Sequence, residues 1–127
     1  MEDNLNIKSA GVKYDQEKEM FDLVAPGFLF ELVRVLTYGA KKYDNRNWES
    51  GMRWGRVFAA LMRHLWKWWA GERYDQESGV HHLAAAAFGC MVLFTYETSN
   101  DPKLLAFDDR SRIGAITENF MKEYLEK

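Results

Sequence analysis

Apolar side chains recur along this chain at helical spacing in three long stretches, each closed by a polar or glycine-containing break. The first follows Pro26, where Leu29, Leu32, Val33 and Leu36 form one stripe of FLFELVRVLTYGAKKY. Pro26 suits a first helical turn, because its missing N–H has no partner to lose there. Gly39 is a point where this helix can end or kink, and the polar KKYDNRNWESG after it reads as a loop. A second stripe runs through Trp54, Val57, Phe58, Leu61, Leu65 and Trp68, with Gly71 placed as a C-terminal cap. A third helix starts near Asp75 or Gln76, with Asp75 able to cap it, and continues to about Thr98. Ala84 to Ala87 and Gly89 are small enough to let another helix approach closely, which puts this helix at the centre of a bundle or at a subunit interface. SNDPK breaks the chain, LLAFDDRSR is looser, and a short last helix starts at Ile113. No strand pattern rivals these helices, although the stretch Gly11–Tyr14 carries a weak extended signal. The pattern predicts an all-α bundle of four main helices, near residues 26–40, 53–70, 76–98 and 113–125.

Composition narrows the class. A chain of 127 residues is one domain, 1–127, long enough to bury a real core. Net charge is −2, so no overall field recruits nucleic acid or an anionic membrane surface. The longest apolar run, Leu83 to Phe94, is too short to span a bilayer, and the acidic, polar MEDNLNIKSAG is not a signal peptide. Cys90 has no disulfide partner in the chain and reads as an inert buried thiol. A cytoplasmic protein is expected. Aromatic residues make up 15%, including five Trp, and with the small-residue helix face they imply burial beyond one protomer.

The chemistry concentrates between the second and third helices. Glu72, Asp75, Glu77, His81 and His82 fall within eleven residues, next to the most apolar segment of the chain. Burying ionised groups is costly unless they are paired or bind metal. If helix geometry holds through them, Glu72, Asp75 and His82 share one face. Carboxylates suit Mg²⁺ or Mn²⁺, and an imidazole tilts the preference toward Mn²⁺. Plainer roles are open for each: Asp75 as an N-cap, Glu72 as a solvated turn residue, Glu77 as a partner of the helix dipole. Of the two histidines, His82 falls on the Asp75 face.

Other candidates lie upstream. Glu31 shares a helical face with Phe28, Val35 and Tyr38, so it is either an inward-facing ligand or a boundary glutamate paired to Arg34 or a lysine. His64 lies with Val57, Leu61 and Trp68, as a satisfied core histidine or a working one. Arg63 beside it is a forked donor suited to phosphate, or simply solvated. The loop GAKKYDNRNW offers Lys41 and Lys42 for phosphate, Tyr43 and Trp48 for stacking, and Asn45 or Asn47 for a base edge. Several classes are excluded: the chain has no GxxxxGK[ST], no GxGxxG, no GxSxG, and no histidine followed directly by Asp.

Taken as a set, Pro26, Glu31, YGAKKY ending at Tyr43, Asn47-Trp48, Arg63-His64-Leu65, Gly71-Glu72, Asp75-x-Glu77-Ser-Gly and His82-Leu83 resemble the phage-associated dATP/dGTP diphosphohydrolase family. That family is similar to the all-α nucleoside triphosphate pyrophosphohydrolases related to MazG, and the likeness covers roughly residues 11 to 98. The resemblance implies a metal-dependent enzyme that cleaves a purine (deoxy)nucleoside triphosphate, dGTP ahead of dATP, to monophosphate and pyrophosphate. It implies two or more Mg²⁺ or Mn²⁺ ions on Glu31, Glu72, Asp75 and Glu77 or His82, with water activated for in-line attack on the α-phosphorus. Glu31, Asp75 and His64 are then the catalytic candidates, and Lys41, Lys42, Tyr43, Asn47, Trp48 and Arg63 hold the nucleotide. Assembly as a homodimer or homotetramer is implied, with no stable nucleic-acid partner and no membrane. The wider superfamily carries ExxE and ExxD motifs on two helices. Here Arg34 stands three residues after Glu31, leaving the first incomplete, whereas Glu72-x-x-Asp75 meets the second. The alternatives are a helical nucleotide sensor without turnover, or a module binding nucleic acid through Lys41, Lys42, Arg46 and the tryptophans.

Overall fold

The computed structural model describes residues 11–110 together with Lys122. Among them the architecture is helical: α1 (Pro26–Lys42), α2 (Trp54–Trp69), α3 (His82–Thr98) and the short α4 (Pro102–Leu105), with one isolated antiparallel bridge between Tyr74 and His81. The helix expected near 113–125 lies, Lys122 apart, outside the described residues.

Helix α3 is the axis of the assembly, and α1, α2 and α4 all pack on it. Its apolar side chains surround the helix rather than lining one stripe, as a central helix requires. Small residues set its distance from α2: Ala84, Ala85, Ala86 and Gly89 are buried, and a Cβ added to Gly89 would fall 2.7 Å from the Leu61 Cβ. The core gathers Trp54 and Val57 of α2, Val92 and Tyr96 of α3 and Leu104 of α4, flanked by Trp48, Met52, Phe88 and Phe107.

Pro26 occupies the first turn of α1 as expected, but Gly39 neither ends nor kinks the helix, which runs on to Lys42. Helix α1 buries no residue fully; Glu31, Leu32, Val35, Leu36 and Tyr38 are half-buried, while Phe28, Leu29, Phe30 and Val33 face outward. The α2 stripe divides similarly. Trp54, Val57 and Leu61 are buried, whereas Phe58, Leu65 and Trp68 remain exposed. Cys90, expected inside the core, is exposed.

The two ends of α2 are closed by different means. At its start Arg53 supplies no side-chain cap. Instead the Gly55 amide donates to Asp109 Oδ1 at 2.9 Å and the Trp54 amide to the Phe107 carbonyl at 3.2 Å. The Arg110 guanidinium lies over the Trp54 ring, 4.6 Å from its centroid, and Trp54 Nε1 donates to the Leu104 carbonyl at 3.2 Å. At its end Gly71 adopts φ 107°, with Gly71 N–H bonded to the Trp68 carbonyl and Glu72 N–H to the Lys67 carbonyl. Those two bonds make a Schellman cap and turn the chain toward α3.

Helix α3 begins at His82, not near residue 76. Asp75 caps no helix. Its Oδ2 accepts from the amide and hydroxyl of Ser78 at 2.9 and 2.8 Å, closing a tight turn that Gly79 completes at φ 76°. The Asp75 amide donates to the Val80 carbonyl at 2.8 Å, and His81 is the residue that caps α3, its Nδ1 accepting from Leu83 N–H at 3.0 Å.

Candidate metal centre

The turn over residues 72–80 hangs between the Schellman cap of α2 and the first residue of α3, so three elements set the geometry. Leu61 against Gly89 brings α2 close to α3 and places His64 beside His82, with Nδ1 to Nδ1 at 2.9 Å. The Ser78 bonds hold Asp75 across from them. His64, Asp75 and His82 each offer a ligand atom, and these atoms lie within 4.8 Å of one another. The His82 side chain is wholly buried, and its Nε2 meets Glu72 Oε1 at 2.7 Å. Among the described residues no buried side-chain nitrogen or oxygen lacks a hydrogen-bond partner.

Electrostatics match the arrangement. Burial, aided by the neighbouring His82, pushes His64 below its ordinary value, keeping the imidazole neutral as a ligand must be. Burial pushes the Asp75 carboxyl up, but the two Ser78 bonds with His64 and Lys67 outweigh it and hold the group below the usual carboxylate value. Two imidazoles and a carboxylate are a donor set that fits a divalent cation.

The remaining sequence candidates fall into separate places. Glu31 is half-buried on α1, 3.5 Å from Arg34, and is not one of the three converging ligand residues. Glu77 reaches across to α1, where Lys42 Nζ donates to it at 2.8 Å and Tyr38 lies 3.5 Å away. The bond from Lys42 holds Glu77 below its ordinary value, and Glu77 in turn raises Lys42. The same ammonium sits 5.4 Å from the centroid of the exposed Tyr43 ring, so the KKY segment is tethered to the turn that carries Asp75. Lys41, Asn47 and Arg63 are exposed. Trp48 is half-buried against Phe88, edge-on at 6.5 Å, and Tyr96, while its carbonyl accepts from the Tyr96 hydroxyl. His81 faces away, stacked edge-on to Tyr74.

Three features escaped the sequence reading. Ser78 fixes Asp75, and the D-x-x-S spacing was the available signal. Glu72 binds His82 instead of standing as an independent carboxylate. An open cleft of about 340 Å³, lined by Trp68, Trp69, Gly71, Glu72 and Arg73, adjoins the centre through Glu72; no spacing rule marks it.

The family model described as "dATP/dGTP diphosphohydrolase, N-terminal" matches residues 8–109. A "dATP/dGTP diphosphohydrolase" of Salmonella phage PMBT28 is 39% identical over 106 residues, which take in 84% of this chain and 35% of that relative. The chain therefore spans about a third of the length of the curated relative it matches. No solved structure matches it. Among the described residues, no helix is long and apolar enough to cross a membrane.

Proposed function

The chain belongs to the dATP/dGTP diphosphohydrolase family, and on that premise we propose that it hydrolyses a purine (deoxy)nucleoside triphosphate, dGTP ahead of dATP, to monophosphate and pyrophosphate in a metal-dependent reaction. The observation that carries this reading is the convergence of His64, Asp75 and His82, held by a buried carboxylate contact and a serine-locked turn. Bound Mg²⁺ or Mn²⁺ would supply charge against the phosphates and acidify the attacking water. His64, Asp75 and His82 would hold it, and Glu31 would be the carboxylate left on α1 to accept a proton. Lys41, Arg63 and, on release from Glu77, Lys42 offer the cations that hold a triphosphate. Tyr43 presents an open ring for the base and Asn47 an amide for its edge, while Trp48 is spent on packing the loop. A hydrogen-bonding amide rather than the ring confers selectivity between bases, because stacking alone is tolerant.

Assembly as a homodimer or homotetramer is part of the proposal. Phe58, Met62, Leu65, Trp66 and Trp69 share the outward face of α2, and Phe28, Leu29, Phe30 and Val33 stand out on α1. Contiguous apolar surface of this kind is characteristic of subunit contacts. The experiment for the activity is incubation of the purified chain with each of the eight common NTPs and dNTPs plus Mn²⁺, with products separated by chromatography. Pyrophosphate and dGMP from dGTP, with little from pyrimidines, are expected. Free triphosphate as product would assign a different reaction, and no turnover with any nucleotide would favour a sensor.

A further inference from the structure

Both ring nitrogens of His82 are taken. Glu72 Oε1 lies 2.7 Å from Nε2, and His64 Nδ1 lies 2.9 Å from Nδ1. The ring is wholly buried, so water does not reach either nitrogen, although the Glu72 carboxylate itself is part-exposed. A carboxylate only accepts, which places a His82 proton on Nε2, and in the neutral ring that leaves a lone pair on Nδ1. With no ion bound, a proton on His64 Nδ1 bridges the two rings. The two Nδ1 atoms stand 2.9 Å apart, so a cation held by both rings would take the place of the proton between them. Both Nδ1 lone pairs would be free for a cation once the His64 proton stood on its Nε2 instead.

We propose that Glu72 is a positioning residue that fixes His82 with its proton on Nε2, and that the resulting pair of imidazole nitrogens, with Asp75, selects a transition-metal dication such as Mn²⁺ over Mg²⁺. Mg²⁺ prefers oxygen donors and sheds water reluctantly, whereas imidazole nitrogen suits the first-row transition metals, among which Mn²⁺ is the weakest binder. Glu72 is then an outer partner of the centre, which the ExxD spacing alone does not reveal. It also lines the Trp68–Trp69 cleft, so it links that open space to His82.

This inference rests on the metal centre proposed above, but its test needs no nucleotide. The full chain, stripped with chelator, is titrated calorimetrically with Mn²⁺ and with Mg²⁺. Long-range ¹H–¹⁵N spectra of the metal-free protein record which ring nitrogen of His82 carries the proton. Mn²⁺ is expected to bind measurably tighter than Mg²⁺. Glu72→Gln should weaken Mn²⁺ by about 10- to 100-fold, with Glu72→Asp recovering part of the loss. A His82 proton on Nδ1, equal affinity for the two ions, or a folded Glu72→Gln protein with wild-type Mn²⁺ affinity would overturn it. If Glu72→Gln does not fold, the wild-type ion ranking and ring protonation still decide. A protein that prefers Mn²⁺ and protonates His82 on Nε2 but turns over no nucleotide would sink the proposed activity and uphold this inference.

Discussion

Gly89 of α3 and Leu61 of α2 touch so closely that a methyl group on the glycine would lie 2.7 Å from the leucine Cβ. A Cβ cannot rotate away, so Gly89→Ala must push the helices apart, and overpacking of this kind costs about 1 to 3 kcal/mol. Gly39, in the interior of α1 with nothing within 4 Å of its added Cβ, is the contrast. Gly39→Ala should stabilise by up to about 1 kcal/mol through helix propensity alone. Urea denaturation of both variants checks the pair. Equal effects would mean that the α2–α3 approach is not close-packed.

The α2–α3 approach also holds His64 to His82, so Gly89→Ala should reach the candidate centre. Mn²⁺ affinity is expected to fall in that variant even under conditions where the protein stays folded. Calorimetric titration after a circular dichroism check would show it, and unchanged affinity would separate the centre from the helix spacing.

Asp75→Asn keeps an oxygen for Ser78 but removes the charge that faces the two imidazoles. Turnover should fall by more than about a hundredfold, beyond what loss of an outer partner causes, with helical circular dichroism intact. Near-normal pyrophosphate release from that variant would remove Asp75 from the site.

Acid sensitivity is expected at the clasp over α2. The Arg110 guanidinium holds Asp108 below its ordinary value of 3.8. A depressed carboxyl contributes stability above its unfolded value and loses it as pH falls through the folded one. Asp108→Asn should therefore cost up to about 1 kcal/mol at pH 7, since the pair is partly solvated. The difference should shrink as pH falls below 3.8 and close once it has passed the folded value. Thermal melts of both proteins across pH 2 to 7 measure the gap; a constant difference would mean that charge plays no part.

The outward α2 face gives the assembly prediction. Light scattering at micromolar concentration should return a dimer or tetramer, and Trp66→Glu with Trp69→Glu should shift it toward monomer. A monomeric wild type would refute the oligomer.

Much of this was legible in the sequence because it is local. The apolar periodicity of α2, the cap at Gly71 and the small-residue centre of α3 all depend on neighbours a few positions away. The start of α3 was misread for a related reason. Asp75 has an N-cap's residue type, but its side chain closes a turn with Ser78 instead, and only the positive φ of Gly79 tells the two apart. Likewise the shared helical face that spacing suggests for Glu72, Asp75 and His82 does not form, because residues 72–80 are a turn; Asp75 and His82 meet His64 through that turn and through how two helices cross, which periodicity does not encode. The exposure of Cys90 has the same origin: a central helix apolar all round is not covered all round.

The cap on α2 has a consequence in time. Gly55 must wait for Asp109, 54 positions later in the chain, before its amide finds that partner. A ribosome adding about 5 to 20 residues per second leaves the first turn of α2 without its clasp for seconds after the turn is made. The Schellman cap at Gly71 needs only its own neighbours. Helix α2 is thus finished at its end before it is finished at its beginning.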